Sequence, residues 1–313
     1  MEEVKCALCS ADSYEIILKA RDLRYHLTDD DVSVVKCKNC GLIYLNPRPS
    51  KGEMGRFYPE AETYYGINAS SLVKTISKFF SLSQVRGVMK YKRHGRLLDI
   101  GCGAGDFLLN IERRGFEVYG VDISSQACKI AQDRLRRRGK TGEGIFNREL
   151  KECNFPDNYF DVITLWHVLE HLPNPNITLK EIHRILKKDG ILILETPNID
   201  SLSFKVFRKN YVHLEVPRHL YHWSHKTIKG ILNRNKFKVL KINYPSLEFS
   251  LSLFHSFSNL LSGYKIKFPL YQLIFIIASP LLLILRIFFH VLPFKIKSEV
   301  LKVYAWKILP QGP

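Results

Sequence analysis

Arg96-Leu-Leu-Asp-Ile100, Gly101-Cys-Gly-Ala-Gly105 and Asp106-Phe-Leu-Leu-Asn-Ile-Glu-Arg-Arg114 decide the fold. The first is an apolar run of strand length and the second a glycine turn. The third has helical spacing of apolar residues, and Gly115 closes it. Strand, glycine turn and helix in that order form the first unit of a doubly wound sheet, where glycines let a ligand approach the backbone. A second strand, Glu117-Val-Tyr-Gly-Val121, ends at Asp122. An acid about 20 residues beyond the turn suits a ribose diol. Asp122 also precedes Ser124 and Ser125, so capping the next helix is an alternative role.

Dinucleotide enzymes share this layout, but they require G-x-G-x-x-G, and the sixth position here is Asp106. Asp99 stands directly before the turn. An acid there disfavours a pyrophosphate and favours a cationic ligand group, such as the amino group of S-adenosylmethionine. Further on, Phe155-Pro-Asp-Asn-Tyr-Phe160 reads as a turn and Asp161-Val-Ile-Thr-Leu-Trp166 as a buried strand. A polar cluster, His167-Val-Leu-Glu170-His171, leaves its C-terminal end. An amphipathic helix is expected from Ile177 to Leu186, stopped by Lys187-Lys-Asp-Gly190. Ile191-Leu-Ile-Leu194 then forms a fifth strand ending in Glu195-Thr-Pro197-Asn198.

With LLDIGCGAGDFL, YGVDIS, FPDNYFDVITLWHVLEHLPNP, GILILETPN and PRHLYHWS together, the sequence resembles the class I S-adenosylmethionine-dependent methyltransferases. It is most similar to the group with an N-terminal zinc ribbon, often associated with glycan and lipid modification at the cell surface. The resemblance covers about residues 40 to 310. It implies an α/β Rossmann-like seven-stranded sheet. Asp99, Gly101, Gly103 and Gly105 would hold the methionine end of the cofactor. Asp122 and Ile123 would bind the ribose and flank the adenine, with Glu149 and Leu150 at the adenine edge. Trp166 and His167 would line the methyl-donor pocket, and simple core packing is the alternative for Trp166. A hydroxyl acceptor needs a base, and the candidates are His167, Glu170, His171, His219 and His222. His167-x-x-Glu170-His171 also looks like the E-x-x-E-H element of metal-dependent O-methyltransferases, but has His where that element begins with Glu. Hydrogen bonding within its own loop is the plainer reading of Glu170 and His171.

Cys6-Ala-Leu-Cys9 and Cys37-Lys-Asn-Cys40 are two C-x-x-C knuckles, with Val32, Val34 and Val35 leading into the second. Four thiolates at tetrahedral geometry make a closed, structural zinc site. Cys102, Cys128 and Cys153 have no partner spacing and read as core or loop residues.

The chain has 313 residues, 46% apolar and 25% charged, which excludes a disordered chain, a collagen and a coiled-coil rod. Its net charge of +17 favours an anionic partner: nucleic acid, a phospholipid surface or a phosphorylated substrate. The acidic start, without an apolar run behind it, predicts no signal peptide and a cytoplasmic protein. Arg134-Leu-Arg-Arg-Arg138 reads as a solvated helix end whose charges suit the helix dipole.

Phe237–Ile242 and Val300–Trp306 read as strands six and seven, separated by a long insertion. Leu247 to Leu261 is apolar and helical. Phe268 to Leu285 contains 18 residues without a charge, near the lower limit of a membrane span. Strands six and seven share one sheet, so the insertion must return to the side it left. Lys265 and Lys267 before it, and Arg286, Lys295 and Lys297 after it, want both ends cytosolic. The expectation is a monotopic or re-entrant hairpin at the inner leaflet, with a buried lid or a dimer interface as alternatives.

The organisation expected is a zinc ribbon over 1–45, a helical connector or cofactor lid over 46–95, a methyltransferase domain over 96–244 and 299–313, and the apolar insertion over 245–298. The connector carries Phe57-Tyr58-Pro59 and Tyr64-Tyr65, aromatics suited to closing over a ligand. The function expected is methyl transfer from S-adenosylmethionine to oxygen on a saccharide or lipid-linked cell-envelope precursor. The rivals are an RNA or tRNA methyltransferase and a non-catalytic, membrane-anchored cofactor-binding protein. Against the first stands the lack of aromatics interleaved with a basic stripe.

Overall fold

The computed structural model describes residues 1–60, 63, 71–245, 247–262 and 298–309. Its strands are β1 (Tyr14–Ala20), β2 (Val32–Cys37), β3 (Ile43–Leu45), β4 (Gly95–Ile100), β5 (Phe116–Asp122), β6 (Ile145–Asn147), β7 (Phe160–Trp166), β8 (Leu186–Pro197), β9 (Tyr221–His222), β10 (Phe237–Asn243) and β11 (Val300–Lys307). The α-helices are α1 (Ser71–Met89), α2 (Asp106–Glu112), α3 (Ser125–Arg136), α4 (Pro175–Ile185), α5 (Leu202–Phe207), α6 (His225–Arg234) and α7 (Leu247–Ser262).

A seven-stranded sheet runs in the order β10-β11-β8-β7-β4-β5-β6. β4 pairs in parallel with β5 and β7, β5 with β6, and β7 with β8. The chain leaves β4 toward β5 and β6 through α2 and α3. It then returns to the other side of β4 with β7 and β8. The crevice at the C-terminal ends of β4 and β7 is therefore a topological switch point, where such sheets bind ligands. The central strands are apolar on both faces, as a sheet covered by helices requires. Leu97, Leu108, Ile111, Val162, Ile191 and Ile193 are fully buried in one core.

Among the described residues the chain divides into two compact units. One comprises Tyr58–Glu195, Lys229–Lys241 and Val303–Pro313 and holds the core just described. The other comprises Met1–Phe57, Thr196–Ile228 and Ile242–Lys302. In this second unit β1, β2, β3 and β9 form an antiparallel sheet, with Tyr44 opposite Tyr221 and Ile43 opposite His222. The division differs from the 1–45, 46–95 and 96–244 segments expected from sequence. PRHLYHWS supplies the fourth strand of the N-terminal sheet instead of belonging to the methyltransferase core.

Two local expectations are also corrected. The helix expected over 177–186 does stop before Lys187, but the strand expected from Ile191 begins five residues earlier, so Lys187–Gly190 lies within β8. α4 ends at Ile185 and β8 begins at once, with Leu186 paired to Phe160. Lys187 is satisfied there because its Nζ lies 2.8 and 2.9 Å from the two Asp161 carboxylate oxygens. The basic run on α3 is not simply solvated. Arg134 donates to the Ala104 carbonyl at 2.8 Å, and Arg138 to that of Leu109 at 2.6 Å.

α7 matches the helix expected over 247–261. Phe268–Leu285, Arg286 and Ile287–Phe294, their flanking lysines and Tyr64-Tyr65 lie outside the described residues. Among the described residues no helix is long and apolar enough to cross a membrane.

Candidate active site

β4 delivers the chain into the glycine turn with Gly101 at φ 71°, Gly103 at 51° and Gly105 at 81°, a region that penalises a Cβ. At Gly101 the space is closed as well, since a Cβ would sit 2.3 Å from Val168 Cγ2. The Gly101 N–H donates to the Val121 carbonyl at 2.7 Å, tying the turn to the end of β5.

Asp122, buried at that end, is what closes the turn. Its Oδ2 accepts from Gly103 N at 2.9 Å and its Oδ1 from Ser124 N at 2.8 Å. The cap of α3 is Ser124, whose side chain accepts from Ala127 N at 3.2 Å. Asp122 is thus not that helix's N-cap. Ile123 next to it is 77% exposed.

Asp99 is buried in β4, beside Thr164 of β7 in register. Thr164 Oγ1 donates to Asp99 Oδ1 at 2.6 Å. Burial, reinforced by the negative charge of Asp122 and opposed by the Thr164 hydrogen bond, pushes the Asp99 carboxyl up to about 8. At neutral pH such a group is mainly the neutral acid, and a cationic ligand group beside it would favour loss of its proton. Thr164 was not singled out from sequence, although a hydroxyl inside an otherwise apolar strand was the available signal.

Glu149 and Leu150 follow β6. Glu149 is exposed and starts a 3-10 turn over Leu150–Cys153 with a capping box to Glu152, while Leu150 is buried. Trp166 is half-buried at the end of β7 and meets the Phe107 ring edge-on at 5.2 Å, so it packs on the core and still borders the crevice. His167 takes φ 56°, a rare conformation for a residue with a Cβ, while its N–H donates to the Glu195 carbonyl at 2.9 Å. Its Nδ1 lies 3.5 Å from a carboxylate oxygen of buried Glu170. His171 Nδ1 is 3.0 Å from the Tyr58 hydroxyl.

The structure therefore brings His167, Glu170 and His171 together in one turn. His219 and His222 belong to the N-terminal unit. His219 Nδ1 is 2.9 Å from the His213 carbonyl, and His222 is buried in β9. Two residues of that unit carry weight that sequence reading missed. Arg218 and Asp22 are both fully buried and paired through two hydrogen bonds, of 2.7 and 3.0 Å.

The sulfurs of Cys6, Cys9, Cys37 and Cys40 all lie within 4.8 Å of one another. Cys6 and Cys40 are 3.4 Å apart, and Cys9 and Cys37 are 3.5 Å apart. Tetrahedral zinc with bonds of about 2.3 Å needs sulfurs about 3.8 Å apart, so the cluster fits that ion with little movement.

A glycine turn closed by an acid lies at the switch point of this sheet, an arrangement that suits a nucleotide-type ligand. The chain belongs to the methyltransferase domain family, whose model matches residues 73–242. It is 30% identical over 133 residues to the demethylmenaquinone methyltransferase of Geobacillus kaustophilus, covering 41% of this chain and 57% of that one. It is 31% identical over 126 residues to the ubiquinone biosynthesis O-methyltransferase of an Azoarcus species, covering 39% and 54%. The chain thus spans little more than half the length of these curated relatives. The fold is also similar to that of a candidate sarcosine dimethylglycine methyltransferase from Galdieria sulphuraria, with TM-score 0.51, 14% identity, and 80% and 91% of the two chains covered.

Proposed function

We propose that this chain transfers the methyl group of S-adenosylmethionine to an oxygen of a saccharide or lipid-linked cell-envelope precursor at a membrane surface. The observation that carries methyl transfer is the Asp122–Gly103 hydrogen bond, which closes the glycine turn beside a buried acid of raised pKa.

Bound S-adenosylmethionine supplies both the methyl carbon and the leaving thioether. Asp99 and the turn, through Gly101, Gly103 and Gly105, hold its methionine end. Asp122 takes the ribose hydroxyls, Ile123 covers one adenine face, and Glu149 and the Leu150 amide meet the adenine edge. Trp166 and His167 wall the donor pocket and exclude water. A base of this chain would take the acceptor proton as the acceptor oxygen received the methyl group. His171, whose Nδ1 lies 3.0 Å from the Tyr58 hydroxyl, is the favoured base. His167, oriented by Glu170, is the alternative within the same turn. His219 and His222 would then serve the N-terminal unit. Zinc on Cys6, Cys9, Cys37 and Cys40 would hold that unit's sheet together, with no open position for chemistry.

The Azoarcus relative is by name an O-methyltransferase, which supports oxygen as the acceptor atom. Both relatives belong by name to quinone chemistry, so a quinone-type ring is a second reading of the acceptor. The excess of basic residues and the apolar stretch over 268–285 support a membrane-surface setting.

Calorimetry tests the donor. S-adenosylmethionine and its demethylated product should bind, and Asp122→Ala should abolish binding without unfolding the chain. Absence of binding to the folded wild-type protein would overturn the proposal. Incubating membrane extract with methyl-labelled donor tests the acceptor. Label in a glycan or lipid-linked precursor is expected, label in a quinone selects the second reading, and label only in RNA refutes both.

A further inference from the structure

The N-terminal unit carries a cleft that the methyltransferase reading does not use. It has a volume of about 500 Å³ and lies where the end of β1, the loop after it, the turn after α5 and the end of α7 meet. Its functional lining is Lys19, Arg21, His26, Lys209, Asn210 and Asn259. Asp31 is the single carboxylate in the lining, and apolar contributions come only from Ala20, Leu23 and Leu260. The volume is that of a small-molecule site, and Lys19, Arg21 and Lys209 bring three cationic side chains to its lining.

The cations there are not all spent on protein partners. Arg21 reaches Asp31 at 3.1 Å, with side chains 55% and 46% exposed. A surface pair of that kind is weak and yields readily to a multivalent anion. Lys19 and Lys209 have no carboxylate partner within 4.0 Å among the described residues, and both are exposed. The backbone is strained on both sides of the cleft, with His26 at φ 53° and Arg208 at φ 48° and ψ −114°. These conformations cost energy, and they set His26 and Lys209 on the lining. Three cationic side chains on one lining match a phosphate or diphosphate.

We propose that this cleft binds the phosphate group of a phosphorylated small molecule, independently of the proposed methyl transfer. Titration of the full chain with inorganic pyrophosphate should show saturable binding that weakens at least tenfold in Lys19→Gln/Lys209→Gln. The two lysines are exposed, so the variant should melt as the wild type does. Asp122→Ala should bind pyrophosphate normally. If pyrophosphate binds but S-adenosylmethionine does not, the methyltransferase reading fails and the cleft stands. Three results would overturn the cleft: no saturable binding, binding unchanged in the double variant, or a variant-sensitive affinity seen only for phosphatidylglycerol vesicles or for RNA.

Discussion

In the proposed donor site, recognition should turn on the protonation state of Asp99. Its carboxyl sits at about 8 because burial outweighs the Thr164 hydrogen bond and Asp122 adds like charge. Below that value the free site is protonated and must lose a proton to meet a cationic amino group. Donor affinity should therefore rise about tenfold per pH unit between about pH 6 and about pH 8. Above that the ligand's own amino group begins to deprotonate, so the profile should flatten or turn over. Asp99→Asn keeps an acceptor for Thr164 and should remove the rising limb. Calorimetric titration across this range checks it, and an unchanged slope in the variant would rule Asp99 out. Glycine101 is the other constrained residue. Its positive φ and the nearby Val168 methyl leave no room for a side chain, which the sequence signalled only as a glycine.

At the scale of elements, α3 holds the glycine turn from beneath. Arg134 bonds the Ala104 carbonyl and lies 2.9 Å from the Asp106 carboxylate. Arg134→Ala should weaken donor binding about fivefold, equivalent to about 1 kcal/mol, with a smaller effect on melting. Ser124→Ala should do the reverse. Loss of the cap costs about 1 kcal/mol of stability, read in a denaturant titration, while Asp122 and the turn remain. The basic run looked solvated in sequence because helix-end arginines usually are, and the carbonyls they meet come from a different element. The strand β8 was similarly obscured. Lys187, Lys188, Asp189 and Gly190 are poor strand residues taken alone, and pairing with β7 and the Lys187–Asp161 contact override that preference.

For the whole molecule, the N-terminal unit depends on two buried centres. Chelation of the ion expected on the four cysteines should unfold β1–β3, measured by circular dichroism, while the parallel sheet of the other unit keeps its signal. The second centre is Asp22. Burial alone would raise its pKa, but Arg218 and the amides of Leu27 and Tyr25 prevail and hold it at about 2. A depressed acid stabilises above its unfolded pKa and loses that stabilisation as pH falls through the folded value. The pair should contribute about 2 kcal/mol at neutral pH, lost between about pH 4 and about pH 2. Arg218→Met should cost more than this, because it leaves Asp22 buried without its cation, and should shift acid unfolding to higher pH. Sequence alone determined the doubly wound sheet, the glycine turn, Asp99, Asp122 and the four-cysteine cluster. Each is written in neighbouring residues whose spacing directly fixes strand, turn, helix or ligand set. Only tertiary structure decided that PRHLYHWS joins the N-terminal sheet, that Arg218 neutralises Asp22, and that Lys19 meets Lys209 across one cleft. Those pairings join residues nearly 200 positions apart, and such contacts leave no periodic trace in the chain that makes them.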